Sequence, residues 1–223
     1  MYAFRSAASV IGYLPDFSEE IVKNEPMLFS ADPEFAYANG GMITRSFLKA
    51  CEKAGFFSPG TKRFCIDTRV HMLMPGWWPC IPGWHHDDVP RNTPDGQPNY
   101  TNPPYRPKHA LAFVGGDICP TEFAIGEALM PIPTYGIHTT YKLWDPVVES
   151  LIERDKLLRW RVPDRALVMF DDRAFHQGTQ AIARGWRWFG RITWDADYEN
   201  GRPHMNEIRR QVNVYMTAPK EGW

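Results

Sequence analysis

Pro82-Gly83-Trp84-His85-His86-Asp87-Asp88 is the stretch on which the reading of this chain turns. Two histidines and two aspartates in succession, at the end of an apolar approach, look like half of a metal site. On an extended segment residues i and i+2 point to the same side, so His85 with Asp87, or His86 with Asp88, can offer an imidazole and a carboxylate to one ion. Only one of these pairs can face inward. A third ligand must come from elsewhere, and the candidate is His176 in Ala174-Phe175-His176-Gln177-Gly178, which follows the apolar run Ala166-Leu167-Val168-Met169-Phe170. Two histidines and one carboxylate form a facial triad, the geometry that suits non-haem Fe(II) and leaves positions open for oxygen chemistry.

A basic residue at a fixed distance strengthens this reading. His176 is followed, after ten intervening residues, by Arg187, and then by Arg191 in Trp186-Arg187-Trp188-Phe189-Gly190-Arg191-Ile192-Thr193-Trp194. At this point the chain resembles the Fe(II)- and 2-oxoglutarate-dependent dioxygenases, whose pattern is H-x-D, a distal His, and an Arg about ten residues further on. Trp84-His85-His86-Asp87 also resembles the W-H-x-D of their phytanoyl-CoA hydroxylase-like branch, which favours the His85/Asp87 register. The resemblance covers residues 63 to 216 in outline, with the triad and the arginine as its specific elements.

The resemblance implies a role for each residue. His85, Asp87 and His176 would hold Fe(II), and the remaining positions would take 2-oxoglutarate and O2. Arg187 would pair with the far carboxylate of 2-oxoglutarate, where a planar guanidinium fork is well matched to the acid. The implied outcome is hydroxylation, or oxidative demethylation, of an unidentified small organic substrate with release of succinate and CO2. His86 and Asp88 would lie outside the metal's ligand set. Arg187 and Arg191, four apart on a strand, share a face roughly 13 Å apart along it, so Arg191 is free for an acidic substrate group or a structural ion pair.

Length and composition set the frame. At 223 residues the chain fits one domain, 1–223, with room for a sizeable core. A net charge of −1 and a pI near 6.7 give no general attraction to nucleic acid or anionic membranes, and no apolar run approaches the roughly 20 residues a membrane span needs. The four cysteines, Cys51, Cys65, Cys80 and Cys119, contain no C-x-x-C pair, so reduced, mostly buried thiols and a cytoplasmic protein are expected.

Along the chain, residues 41 to 57 have helical spacing, with Ile43, Phe47, Leu48, Cys51 and Ala54 on one side. Phe64 to Met74 alternates as a strand, with Cys65, Asp67, Arg69 and His71 sharing its polar face. Val89 to Lys108 holds six prolines and almost no aliphatic residues, which predicts a long loop covering the metal and touching substrate through Tyr100, Tyr105 and Arg106. His109 to Phe113 and Ile118 to Ile125 read as a hairpin, in which Thr121 is a candidate hydrogen-bond donor to a cosubstrate carboxylate. Asp145 is expected to cap a helix from Pro146 to about Leu157. Strands are expected at 158–162, 166–170, 186–194 and 211–216. About eight strands with helices outside them describe a mainly β protein, a double-stranded β-helix or closed jelly roll with flanking helices. A cupin-like metal-binding protein or isomerase would share that barrel and triad, yet needs neither 2-oxoglutarate nor an arginine at this spacing.

Overall fold

Apolar–polar alternation over 64–73 and 185–194 produces two ten-residue strands that pair along their whole length. They belong to a computed structural model that describes residues 2–58, 64–94, 96–132, 140–194 and 204–216. In chain order its elements are β1 (Tyr2–Ser6), β2 (Ala8–Tyr13), α1 (Glu19–Asn24), β3 (Leu28–Phe29), α2 (Pro33–Asn39), α3 (Met42–Lys53), β4 (Phe64–Leu73), β5 (Lys108–Val114), β6 (Thr121–Met130), α4 (Thr140–Glu153), β7 (Leu158–Arg161), β8 (Ala166–Asp171), β9 (Phe175–Gly178), β10 (Gly185–Trp194) and β11 (Glu207–Ile208). The protein is mainly β, its strand pairs are antiparallel, and its helices are few. Among the described residues no helix is long and apolar enough to cross a membrane.

The larger sheet has five strands in the order β2-β8-β5-β10-β4. In the smaller sheet β7 and β9 flank the same stretch of β6, residues 121–125, on opposite edges, and β1 pairs with the far half of β6. His85 and His176 exchange both backbone hydrogen bonds, at 3.0 and 3.1 Å, so the segment carrying His85 extends this smaller sheet beyond β9. The metal-candidate stretch is therefore sheet edge, held in register by its own backbone.

Side-chain period decides what lies between and outside the sheets. Ile66 and Val70 of β4 and Trp188 and Ile192 of β10 face outward and pack beneath α3, with Phe47 and Trp188 ring centroids 5.7 Å apart. The alternate residues, Asp67, Arg69 and His71 of β4 with Arg187, Phe189 and Arg191 of β10, face inward and line a cavity. Register sets them side by side, with Arg187 opposite His71 and Arg191 opposite Asp67.

Three expectations are corrected, and two helices are added. β5 and β6 are not a hairpin: both edges of β5 are taken by β10 and β8, so the chain crosses to the other sheet through a turn at Gly115, where φ is +86° and a Cβ would meet the Trp186 carbonyl at 2.6 Å. The helix expected from Pro146 begins at Thr140 and carries Pro146 inside it, because Asp145 spends its carboxylate on the Trp84 amide at 2.7 Å, not on a cap. Residues 211–216 form no strand beyond a single bridge between Trp78 and Tyr215; the chain pairs earlier, at β11. The helices α1 and α2 were not anticipated, although Ser18 and Asp32 each accept an N-cap hydrogen bond from the third residue on.

Helix α3 starts at Gly41, which has no side chain to cap it. The carboxylate of Glu25 takes the place of a cap, accepting from the Ile43 amide at 3.1 Å and the Thr44 amide at 2.8 Å in a buried setting. Replacing Glu25 by Ala is expected to cost about 1–3 kcal/mol, the range for buried amides left without a charged acceptor, read as a fall in the denaturant midpoint. An unchanged midpoint would show that this cap contributes nothing.

Candidate metal centre

The ligand geometry begins with two backbone carbonyls. His85 Nδ1 lies 2.8 Å from the Gly83 carbonyl and His176 Nδ1 lies 2.9 Å from the Ala174 carbonyl. A carbonyl only accepts, so each Nδ1 carries a proton and each ring turns its Nε2 into the cavity. Asp87 meets both: its Oδ1 is 3.9 Å from His85 Nε2 and its Oδ2 is 3.1 Å from His176 Nε2. One ligand atom from each of the three residues lies within 4.8 Å of the others. Two imidazole nitrogens and a carboxylate oxygen converging this closely form a donor set that fits a metal ion of the facial-triad kind.

The flanking residues hold this register. Trp84 is buried, with its indole N–H donating to Glu149 at 2.8 Å and its amide to Asp145. His86 turns the other way, into an aromatic core where its ring centroid lies 4.1 Å from that of Phe175 and its Nδ1 2.8 Å from the Tyr100 hydroxyl. Asp88 has φ of +53°, which swings it out of line with Asp87 toward Arg191 and Thr193. His85 and Asp87, not His86 and Asp88, therefore face His176.

Electrostatics keep His85 neutral and Asp87 ionised. Burial, with His176 beside it, lowers the His85 pKa to about 4, so the ring stays neutral near pH 7. Burial alone would raise the Asp87 pKa, but the Arg191 guanidinium, hydrogen-bonded to Oδ2, holds it well below the usual carboxylate range. Arg191 also reaches Asp88 at 3.4 Å. Of the two expectations for Arg191, the ion pair is the one the geometry contains.

Arg187 and Thr121 come together across the cavity from the triad. Thr121 sits at the start of β6 in the smaller sheet, and its hydroxyl accepts from Arg187 Nη2 at 3.2 Å. Arg187 is 3% exposed, and its guanidinium carbon lies 4.9 Å from the Phe113 ring centroid and 5.7 Å from that of Phe189. Among the described residues no carboxylate pairs with it. The cavity between triad and arginine is about 270 Å³ and is closed partly by Pro79 and Cys80.

The loop takes a place of its own in the structure. The described residues of this loop, 89–94 and 96–107, are irregular, as the prolines indicate, and none of them lines the cavity. Tyr100 is 2% exposed and is packed behind His86, its hydroxyl also 3.1 Å from that of Tyr141. Arg106 is exposed and reaches Asp172 at 3.4 Å; Tyr105 is half-buried, and neither lines the cavity. An aromatic pocket beside β1 and α4 draws the loop inward, so proline content marked the irregular backbone without marking which side it covers. The cavity's outer neighbours are instead Pro79, Cys80 and the segment 209–215, for which the sequence carried no signal.

No protein-family model matches the chain, and no curated protein does. Among solved structures it is similar to HygX from Streptomyces hygroscopicus, a structure with iron bound (11% identity, 87% of this chain and 84% of that one, TM-score 0.42). It is also similar to EvdO2 from Micromonospora carbonacea var. aurantiaca complexed with 2-oxoglutarate (8% identity, 66% of this chain, TM-score 0.35) and to EvdMO1 (14% identity, 58% of this chain, TM-score 0.30). The chain spans 58% of the length of EvdO2 and 25% of that of EvdMO1.

Two outcomes follow from this geometry. Asp87→Ala should abolish stoichiometric binding of Fe(II), followed anaerobically, while Asp88→Ala retains it; the opposite pattern would overturn the register. Tyr100→Phe should lower unfolding stability by about 1–2 kcal/mol, because it strips a buried imidazole of its partner, and leave metal affinity unchanged. A loss of metal affinity in that variant would place Tyr100 in the site after all.

Proposed function

We propose that this chain is an Fe(II)- and 2-oxoglutarate-dependent oxygenase, a single domain over 1–223 that hydroxylates or oxidatively demethylates a small organic substrate. The observation that carries the reading is the presence, lining one cavity, of a His-Asp-His donor set and a buried arginine with no carboxylate partner among the described residues. A cupin-like binding protein or isomerase would need the first and has no use for the second.

A double-stranded β-helix is supported by the path of the chain. From β4 it passes to the His85 segment, back to β5, over to β6 and β7, back to β8, over to β9 and back to β10, so that the larger sheet collects β4, β5, β8 and β10 and the smaller collects the rest. That winding brings His85 and His176 into adjacent strands while Arg187 enters from the facing sheet. Fe(II), when bound, supplies the chemistry that couples O2 to oxidative decarboxylation of 2-oxoglutarate, with release of succinate and CO2 and oxidation of a substrate C–H bond.

The chain's own residues divide the remaining work. The Gly83 and Ala174 carbonyls orient the two imidazoles, and Arg191 with Asp88 keeps Asp87 ionised beside them. Arg187 takes the far carboxylate of 2-oxoglutarate, with the Thr121 hydroxyl turning from its present acceptor role to donate to the same group. Phe113 and Phe189 hold the guanidinium in place and exclude water from it.

Succinate release from 2-oxoglutarate under Fe(II) is the direct test, first without added substrate and then across a panel of small molecules. Arg187→Ala should raise the KM for 2-oxoglutarate by about tenfold or more, the scale of roughly 1.4 kcal/mol of lost charge-assisted bonding, and Arg187→Lys should recover only part of it. Arg191→Ala should weaken Fe(II) binding more than it changes that KM. Should 2-oxoglutarate bind Arg187→Ala as it binds the parent chain, the cosubstrate assignment is wrong.

A further inference from the structure

Four guanidiniums stand in or beside the cavity, and two of them are paired with carboxylates. Arg191 pairs with Asp87 and Asp88. Arg209, on the segment after β11, donates to Asp67 Oδ1 at 3.0 Å. Arg187 faces the space assigned above to 2-oxoglutarate. Arg69 is different: it projects from the inward face of β4, and among the described residues it has neither a hydrogen-bond nor an ion-pair partner. The carboxylate nearest to it in sequence, Asp67, is already engaged by Arg209 and by the Ser30 amide at 3.2 Å. Burial, aided by the guanidiniums of Arg209 and Arg191, depresses the Arg69 pKa, whereas the carboxylates around Arg191 raise that of Arg191. An arginine left partly desolvated among other arginines is stabilised by an incoming anion.

Position shows which anion can reach it. Arg69, with Pro79 and Cys80, lines both the metal cavity and a second cavity of about 460 Å³. The far wall of this outer space is the 209–215 segment, which contributes Gln211, Asn213 and Tyr215. Arg69 thus stands at the passage between a polar vestibule and the metal centre, opposite Phe189 on the neighbouring strand. We propose that the oxidised substrate is a small polar organic acid whose carboxylate or phosphate group docks on Arg69, with its uncharged body along Gln211 and Asn213. The inference rests on the oxygenase reading for the word substrate; the anion site itself rests only on Arg69 and its surroundings.

The test uses the full chain, with and without anaerobic Fe(II) and saturating 2-oxoglutarate, titrated calorimetrically with sodium acetate and with inorganic phosphate at constant ionic strength. In the loaded chain, where Arg187 is occupied, saturable binding of one anion is expected, weakened about tenfold or more in Arg69→Gln, the scale of one charge-assisted pair, and partly restored in Arg69→Lys. Preference for acetate assigns a carboxylic acid, and preference for phosphate a phosphate ester. Since Arg69 has no hydrogen-bond or ion-pair partner among the described residues, Arg69→Gln should keep the parent Tm and the parent affinity for 2-oxoglutarate, which shows that the effect is local. Absence of saturable binding in the parent chain, or equal binding in Arg69→Gln, would overturn the proposal. Failure of the parent chain to bind 2-oxoglutarate would overturn the oxygenase reading alone, because the titration without it still decides whether Arg69 holds an anion.

Discussion

Everything at the centre depends on the two hydrogen bonds by which His85 and His176 give their Nδ1 protons to the carbonyls of Gly83 and Ala174. Each bond spans two residues of the histidine's own strand, so ring orientation is set by local backbone and not by a distant side chain. Once the Nδ1 positions are committed, both Nε2 atoms point at Asp87, that of His176 within 3.1 Å of Oδ2. Arg191 approaches the same carboxylate from the other side, which is why an aspartate buried in this setting remains ionised.

The two sheets convert that local arrangement into a cavity. The His85–His176 bridge belongs to the smaller sheet, while Arg187 and Arg191 ride on β10 of the larger one. Because β10 is a full strand at about 3.3 Å per residue, its two inward arginines reach different parts of the same space. Arg191 arrives at the triad, and Arg187 arrives at Thr121. Gly190 keeps the stretch between them close to its neighbour: a Cβ there would meet the Trp188 ring at 2.2 Å, and Trp188 is the residue that seats α3 on the outer face. A contact on the outside of the sheet thus constrains the spacing of charges on the inside.

Legibility followed the range of the physical signal. Strands β4, β8 and β10 announced themselves through alternation or apolar runs, and α3 through helical spacing, because those patterns are local. The donor set was legible for the same reason: H-x-D places two ligands on one side of an extended segment, and the remaining histidine followed a strand. What failed depended on neighbours. Whether β5 pairs with β6 is decided by which edges are already occupied; whether Asp145 caps α4 is decided by the distant Trp84 amide. Tyr100 looked like a loop-tip contact because no local pattern states that an aromatic pocket lies beneath it. Arg69 was visible on the polar face of β4, but its want of a partner emerges only after Arg209 has folded back to claim Asp67.

Charge distribution separates the groups that build this site from those that await something. A buried ion pair satisfies itself, as Arg191 does with Asp87 and Asp88, and losing one member leaves the other exposed to the desolvation cost. Arg187 is buried against two phenylalanine rings and one hydroxyl, contacts that compensate a guanidinium far less well than a carboxylate does. No fold needs that arrangement for its own stability, since a leucine in the same place would pack without a desolvation penalty. An anion such as the far carboxylate of the proposed 2-oxoglutarate would offset that cost, through an interaction that no carboxylate among the described residues takes up.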